Sequence, residues 1–175
     1  MLPFSYNEIH ETLQRLAVRI QTSGFEPEVI VAIGTGGFIP ARIMKTFLGL
    51  PIYTVGIALY LPDHSTLPSP QKIQWIDEVE QKLSGRRVLL VDEVDDSRTT
   101  LEYCIRELLA HAPAALGVAV LHNKQKEKRG ALPDEIAGYW AGDEIPNVWV
   151  RYPWDAEDIQ EHDQQVQLKA SSPGQ

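Results

Sequence analysis

Apolar residues along the chain follow two periods. Ile9, Leu13, Leu16, Ala17 and Ile20 recur at helical spacing behind Ser5-Tyr6-Asn7-Glu8, a capping-box pattern, and Gly24 stops that helix. Val29 to Ile33 is instead a short unbroken apolar run, the mark of a strand buried on both faces. It ends in Gly34-Thr35-Gly36-Gly37 and passes through Pro40 into a second helical pattern of Ala41, Ile43, Met44, Phe47 and Leu48, closed by Gly49. Ile52 to Tyr60 reads as a long strand. Leu61 to Gln71 carries prolines at 62, 68 and 70 among polar residues and reads as a loop that follows a strand as a lid would. Gln71 to Ile76 is a weaker strand pattern, and Asp77 to Leu83 a polar connection with slight helical character. A strand opens at Arg87 and runs through Val88-Leu89-Leu90-Val91. Leu101, Ile105, Leu108 and Leu109 then predict a helix from Thr99 to about His111, broken by Pro113, and Leu116 to Leu121 gives another buried strand. Residues 122–175 are less regular, and from about Glu161 the chain reads as a polar tail that frays at Ser171-Ser172-Pro173-Gly174-Gln175.

Strands alternating with helices predict an α/β fold, a mostly parallel central sheet with helices on both faces and the ligand site at its carboxyl edge. One domain is expected over residues 1–160, with its core at about 28–121 and a small irregular hood at about 122–156 joined by the N-terminal helix at 5–24. The length of 175 residues and the 43% hydrophobic content suit a single core. A net charge of −8 argues against a general nucleic-acid binder but leaves room for a local anion site. Cys104, the single cysteine, rules out an intrachain disulfide and sits on the apolar side of its helix as a buried thiol. With no basic leader and no apolar run of membrane length, a soluble, cytoplasmic protein without membrane or nucleic-acid partners is expected.

Chemistry concentrates after Val91. Asp92, Glu93, Asp95 and Asp96 place four carboxylates where a buried strand must end, and Ser97-Arg98-Thr99-Thr100 follow at a helix N-terminus, where phosphate is favoured. Acids followed by hydroxyls suit a ligand with a phosphate at one end, a sugar diol in the middle and a metal-chelated group at the other. Side chains alternate along an extended segment, so only one of Asp95 and Asp96 faces such a ligand. Lys124 directly follows a strand, whereas Lys126, Lys128 and Arg129 read as a solvated surface run.

The run 88–100 resembles the phosphoribosyl pyrophosphate motif of the type I phosphoribosyltransferases, in particular the purine salvage group. Val31 to Arg42 is similar to the family's pyrophosphate loop, Leu121-His122-Asn123-Lys124 to its base-recognising strand end, and Trp149-Val150-Arg151-Tyr152-Pro153-Trp154-Asp155 to the base-stacking segment of the bacterial xanthine-guanine enzymes. The Asp-Glu-Val-Asp-Asp-Ser-Arg-Thr-Thr wording also resembles the hypoxanthine-guanine enzyme of yeasts. The resemblance spans roughly residues 28 to 156. It implies transfer of a phosphoribosyl group to a 6-oxopurine (hypoxanthine, guanine or xanthine) in a homodimer or homotetramer. Asp92 and Glu93 would then bind the ribose diol, Asp95, Asp96, Ser97, Arg98, Thr99 and Thr100 the rest of the phosphoribosyl group, and Gly34, Thr35, Gly36 and Gly37 pyrophosphate. It also implies a cis peptide at Thr35-Gly36. Asp96 would accept the purine proton and Tyr60 close over the reaction. Lys124, Trp149, Val150 and Asp155 would hold the base, with Mg2+ on Asp92, Glu93 and Asp155 directly or through water. Trp154 is expected in the core.

Three positions depart from the family pattern: Arg98 replaces the usual glycine, Thr35 stands where relatives have lysine or arginine, and Leu59-Tyr60 replaces a Ser-Tyr pair. The competing reading is a non-catalytic sensor of phosphoribosyl pyrophosphate or a nucleotide on the same fold. A generic nucleotide-binding domain is disfavoured, because neither G-x-G-x-x-G nor a Gly-Lys-Ser/Thr loop is present.

Overall fold

The structure is a computed structural model that describes residues 1–60 and 66–171. Its elements, in chain order, are β1 (Leu2–Pro3), α1 (Tyr6–Thr22), β2 (Val29–Gly34), α2 (Phe38–Leu48), β3 (Ile52–Tyr60), β4 (Thr66–Gln74), α3 (Val79–Leu83), β5 (Arg87–Asp95), α4 (Thr99–Leu109), β6 (Ala115–Gln125), β7 (Gly138–Pro146), β8 (Val150–Arg151), a 3-10 turn at Pro153–Asp155, and α5 (Ile159–Ser171). The capping box is formed: Glu8 N–H donates to Ser5 Oγ at 3.1 Å, and Ser5 N–H to Glu8 Oε2 at 2.7 Å. α2 ends on Gly49, whose φ of 71° is the left-handed conformation a helix C-terminus favours.

The main sheet has the order β4-β3-β2-β5-β6-β7, parallel except where β4 runs against β3. Its central strands bury both faces, as unbroken apolar runs require. Val29, Val31, Val88, Leu90, Val118 and Val120 pack with Leu101, Cys104, Ile105 and Leu108 of α4. Ile30, Ala32, Leu89, Val91, Ala119 and Leu121 face the other way onto Ile9, Leu13, Leu16 and Ile20 of α1 and Met44 of α2. Each fully buried side chain of this kind contributes about 2 kcal/mol. Burial also pushes the Cys104 thiol well above its ordinary pKa, so it is inert packing. No described helix is long and apolar enough to cross a membrane.

Three segments differ from the sequence expectation. The lid expected at 61–71 is from Thr66 onward the edge strand β4, while 61–65 lie outside the described residues. Pro68 and Pro70 are tolerated because β4 has a neighbour on one side only and its pairing with β3 shifts register between Ala58 and Tyr60. The irregular hood contains a sixth strand, β7, and β6 continues past Leu121 to Gln125. The expected polar tail is the helix α5. It docks by side chains on main-chain carbonyls: His162 Nε2 donates to Phe4 O at 2.8 Å and Lys169 Nζ to Pro3 O at 2.8 Å.

Candidate active site

The parallel strands β2, β5 and β6 deliver their carboxyl ends to one edge of the sheet, and a cavity of about 750 Å³ opens there. It is lined by Gly34, Thr35 and Gly36 from the loop after β2, by Asp92 to Arg98 and Thr100 from the end of β5 and the turn into α4, and by Lys124 from β6. Trp149, Val150, Tyr152 and Asp155 close the side formed by the hood. Segments far apart in the chain therefore meet as the sequence motifs suggested. Gly37 and Thr99 are not among the lining residues. Gly37 spends its N–H on Ile33 O at 2.9 Å, and a Cβ there would meet Ile33 O and Val91 O at 2.6 and 2.8 Å, so it serves close packing of the loop on the sheet. Thr99 turns its hydroxyl to Ser97 Oγ at 3.1 Å. The cis peptide lies at Gly34-Thr35, one residue before the expected position. The side chain of Tyr60 lies outside the described residues.

Asp92 is buried at the base of the cavity, and burial, then the neighbouring Glu93 carboxylate, raises its pKa well above the ordinary range. Glu93 packs over the glycine loop, leaving no room for a side chain on Gly36. Across the cavity Asp155 is raised too, by burial and then by Glu93. Three acids thus share a space whose negative charge a cation would relieve. Among the described residues no group of three His, Cys, Asp or Glu side chains converges into a metal cage. These hard oxygen donors fit Mg2+ that arrives on a phosphate ligand and keeps waters, the usual habit of that ion.

Asp95 and Asp96 have different surroundings, the first with a buried side chain and the second partly open. Asp95 is 1% exposed, and its Oδ2 accepts Arg98 Nε and Nη2 at 2.9 and 2.7 Å and Tyr139 Oη at 2.8 Å. Its carboxylate is committed to this buried network, not to the open cavity. Arg98 likewise turns back from the turn it occupies. Its φ of 66° is left-handed, a conformation that favours glycine. Asp96 is shared by two cations, Lys124 Nζ at 3.1 Å from Oδ2 and Lys126 Nζ at 2.8 Å from Oδ1. Burial works to raise the Asp96 pKa, but hydrogen bonds from Lys126 and then Lys124 outweigh it and hold the carboxyl below its usual range. Pairing of Asp95 with Asn123 across β5 and β6 sets up this contact, since Asp96 directly follows the end of β5 and Lys124 directly follows Asn123.

Residues 5–158 match the phosphoribosyl transferase domain. The chain is a member of the phosphoribosyltransferase family. Hypoxanthine-guanine phosphoribosyltransferase of Schizosaccharomyces pombe is 39% identical over 94% of each chain, and xanthine phosphoribosyltransferase 1 of Saccharomyces cerevisiae is 40% identical over 90% of this chain and 91% of its own. A crystal structure of a Neisseria gonorrhoeae protein with bound ppGpp superposes with a TM-score of 0.89 at 43% identity, covering 96% of both chains. A purine phosphoribosyltransferase from Pyrococcus horikoshii shares the fold at a TM-score of 0.69 and 23% identity.

Sequence reasoning missed two lysines that hold the end of β5 and one support of the hood. Lys126 and Lys128, read as solvated surface, both engage the end of β5: Lys126 bonds the Asp96 carboxylate, and Lys128 Nζ donates to Asp95 O at 2.6 Å and Asp96 O at 3.1 Å. No local pattern announced this, because β6 ends at Gln125 and the chain turns there, with Lys126 N–H donating to Lys124 O at 2.9 Å. Tyr152 supports the hood. It stacks between His122 and Trp154, at centroid distances of 5.6 and 4.5 Å, and its hydroxyl donates to Glu93 O at 3.3 Å. Trp154 packs on the core, whereas Trp149 stands 73% exposed at the cavity mouth.

Proposed function

We propose that the chain transfers a 5-phosphoribosyl group from phosphoribosyl pyrophosphate to N9 of a 6-oxopurine, releasing pyrophosphate. One observation carries the reading: Asp96 and Lys124 stand 3.1 Å apart at the end of two adjacent strands, beside a cavity that also holds an acid pair and a helix N-terminus. The 6-oxo and N7 positions of a purine are neighbours on one edge. An ammonium that donates to O6 beside a carboxylate that accepts from N7–H matches that edge, and it disfavours the 6-amino group of adenine.

In this reading Ser97, Thr100 and the first-turn N–H groups of α4, which have no intrahelical acceptors, hold the 5-phosphate. Asp92 and Glu93 accept from the ribose 2- and 3-hydroxyls. N–H groups of the 34–36 loop meet the diphosphate, since Thr35 supplies no cation. Trp149 covers the base, whose 2-position faces the backbone near Val150 and Asp155. As N9 attacks the anomeric carbon and the diphosphate leaves, Asp96 takes the proton that N7 sheds. Asp92, Glu93 and Asp155 would hold Mg2+ directly or through water, and the ion would supply positive charge against the diphosphate leaving group.

The Neisseria protein binds ppGpp, which contains a guanine, a ribose and diphosphates, the same chemical pieces, and this supports a purine and phosphate ligand for this chain. The test is product formation. With Mg2+, phosphoribosyl pyrophosphate and hypoxanthine, guanine or xanthine, the corresponding nucleoside monophosphate is expected on chromatography, and none with adenine. Binding of phosphoribosyl pyrophosphate without a nucleotide product from any base would leave a sensor and overturn transfer.

A further inference from the structure

The turn at 96–100 carries a residue that the ligand chemistry does not use. Arg98 adopts a left-handed backbone, φ 66° and ψ 0°, which a residue with a side chain takes up only at a cost in energy. Its guanidinium neither caps α4 nor reaches across the cavity. Instead its Nε and Nη2 both donate to Asp95 Oδ2, and it lies 5.2 Å from the centre of the Tyr139 ring, while the Tyr139 hydroxyl donates to the same oxygen. The chain thereby folds back on the end of β5 and is pinned to β7, an element outside the motif. The opposite side of the turn is braced too: Arg129 and Gly130 N–H both donate to Ser97 O at 3.0 and 3.1 Å. A Cβ on Gly130 would stand 2.5 Å from Arg98 O, so the segment after Lys128 lies directly against the turn.

We propose that Arg98 is a positioning residue which, through Asp95 and Tyr139, locks the 96–100 turn in its phosphate-binding shape by a buried ion pair. The proposal rests on the phosphoribosyl reading of the site. Its physical basis is preorganisation: a turn already held in shape does not have to be ordered when the phosphate arrives, so the clamp appears as affinity for the phosphate substrate and not as a change in the chemical step.

Removal of the guanidinium alone would leave the buried Asp95 carboxylate poorly paired and could unfold the protein. The test therefore compares Arg98→Gly, which keeps the left-handed backbone, with Asp95→Asn/Arg98→Gly, which also removes the stranded charge. The dissociation constant of phosphoribosyl pyrophosphate with Mg2+, measured by calorimetry, is expected to rise roughly tenfold or more in both variants, with KM for that substrate rising in parallel and kcat changing far less. The thermal midpoint is expected to recover in the double variant while the affinity does not. Amide exchange at residues 97–100, measured without ligand, is expected to accelerate in both. Recovery of affinity together with stability in the double variant would overturn the positioning role and leave a merely structural ion pair. If the wild-type protein does not bind phosphoribosyl pyrophosphate, the phosphoribosyl reading fails, and the positioning role for that substrate falls with it; unchanged exchange at 97–100 in a protein that does bind overturns the clamp alone.

Discussion

The Glu93 carboxylate fills the space that a side chain on Gly36 would need: a Cβ there would stand 2.1 Å from Glu93 Oε1. The glycine loop after β2 and the acid pair near the end of β5 are thus closed on each other, so the subsites proposed for diphosphate and ribose share a wall. Gly36→Ala must move either the loop or Glu93. It is expected to lower kcat/KM for phosphoribosyl pyrophosphate by at least about tenfold, a loss typical of small displacements at a reacting centre. Steady-state kinetics check this, and an unchanged value would show that the two walls are not used together.

Lys126 contributes the shorter of the two contacts to Asp96 and the largest of the effects that depress its pKa. Lys126→Ala removes that effect, so the Asp96 pKa rises, and a base that must be ionised loses activity at a higher pH. The acid limb of the kcat/KM profile is expected to move upward in the variant, as read from rates across pH. A limb that stays in place would remove Asp96 from the role of proton acceptor or Lys126 from its control.

His122 is buried between Phe4 and Tyr152, with Nδ1 2.8 Å from the Tyr152 hydroxyl. Burial holds its pKa at about 4, below the ordinary 6.5. Between those values the unfolded chain takes up a proton that the folded chain refuses, so stability is complete above 6.5 and falls as pH drops toward 4. The loss is on the order of 3 kcal/mol at most. Urea unfolding of wild type and His122→Asn across this range is expected to show a shallower decline in the variant; parallel declines would show that His122 is not the titrating group.

The chain's two ends hold the hood. Leu2 N–H donates to Trp149 O at 2.8 Å in the pairing of β1 with β8, and α5 fastens β1 from behind through Lys169, which also bonds Glu8 Oε1 at 2.8 Å. Lys169→Met is expected to cost about 1 kcal/mol of stability and to raise KM for the purine while leaving affinity for phosphoribosyl pyrophosphate alone. Equal effects on both substrates would mean that α5 supports the whole domain and not the base-binding side.

These relationships differ in how far they can be read from sequence. β2, β5 and β6 are apolar runs buried on both faces, and α1 and α4 carry periodic apolar stripes, so the frame and the placement of Asp92, Asp96 and Lys124 at its edge follow from local pattern. β4 hides behind Pro68 and Pro70, which only an edge strand with shifted register accommodates. β7 buries little more than Ala141 and Ile145 and turns Asp143 toward Thr12 of α1, so its pattern resembles a loop. α5 buries only His162 and binds by bonds to carbonyls that no local pattern announces. Arg98 is the sharpest case. Its sequence neighbours suggest a phosphate ligand, and its partner Tyr139 lies on a strand that the pattern does not reveal.

Pyrophosphate release, measured side by side for wild type and Asp96→Asn with Mg2+, phosphoribosyl pyrophosphate and each of hypoxanthine, guanine, xanthine and adenine, tests the central claim most directly. Wild type is expected to release pyrophosphate with at least one 6-oxopurine and not with adenine. Asp96→Asn is expected to bind phosphoribosyl pyrophosphate as wild type does but to turn over roughly a hundredfold or more slowly, the usual scale for a lost general base. No release with any base, or equal turnover in the variant, would contradict the account.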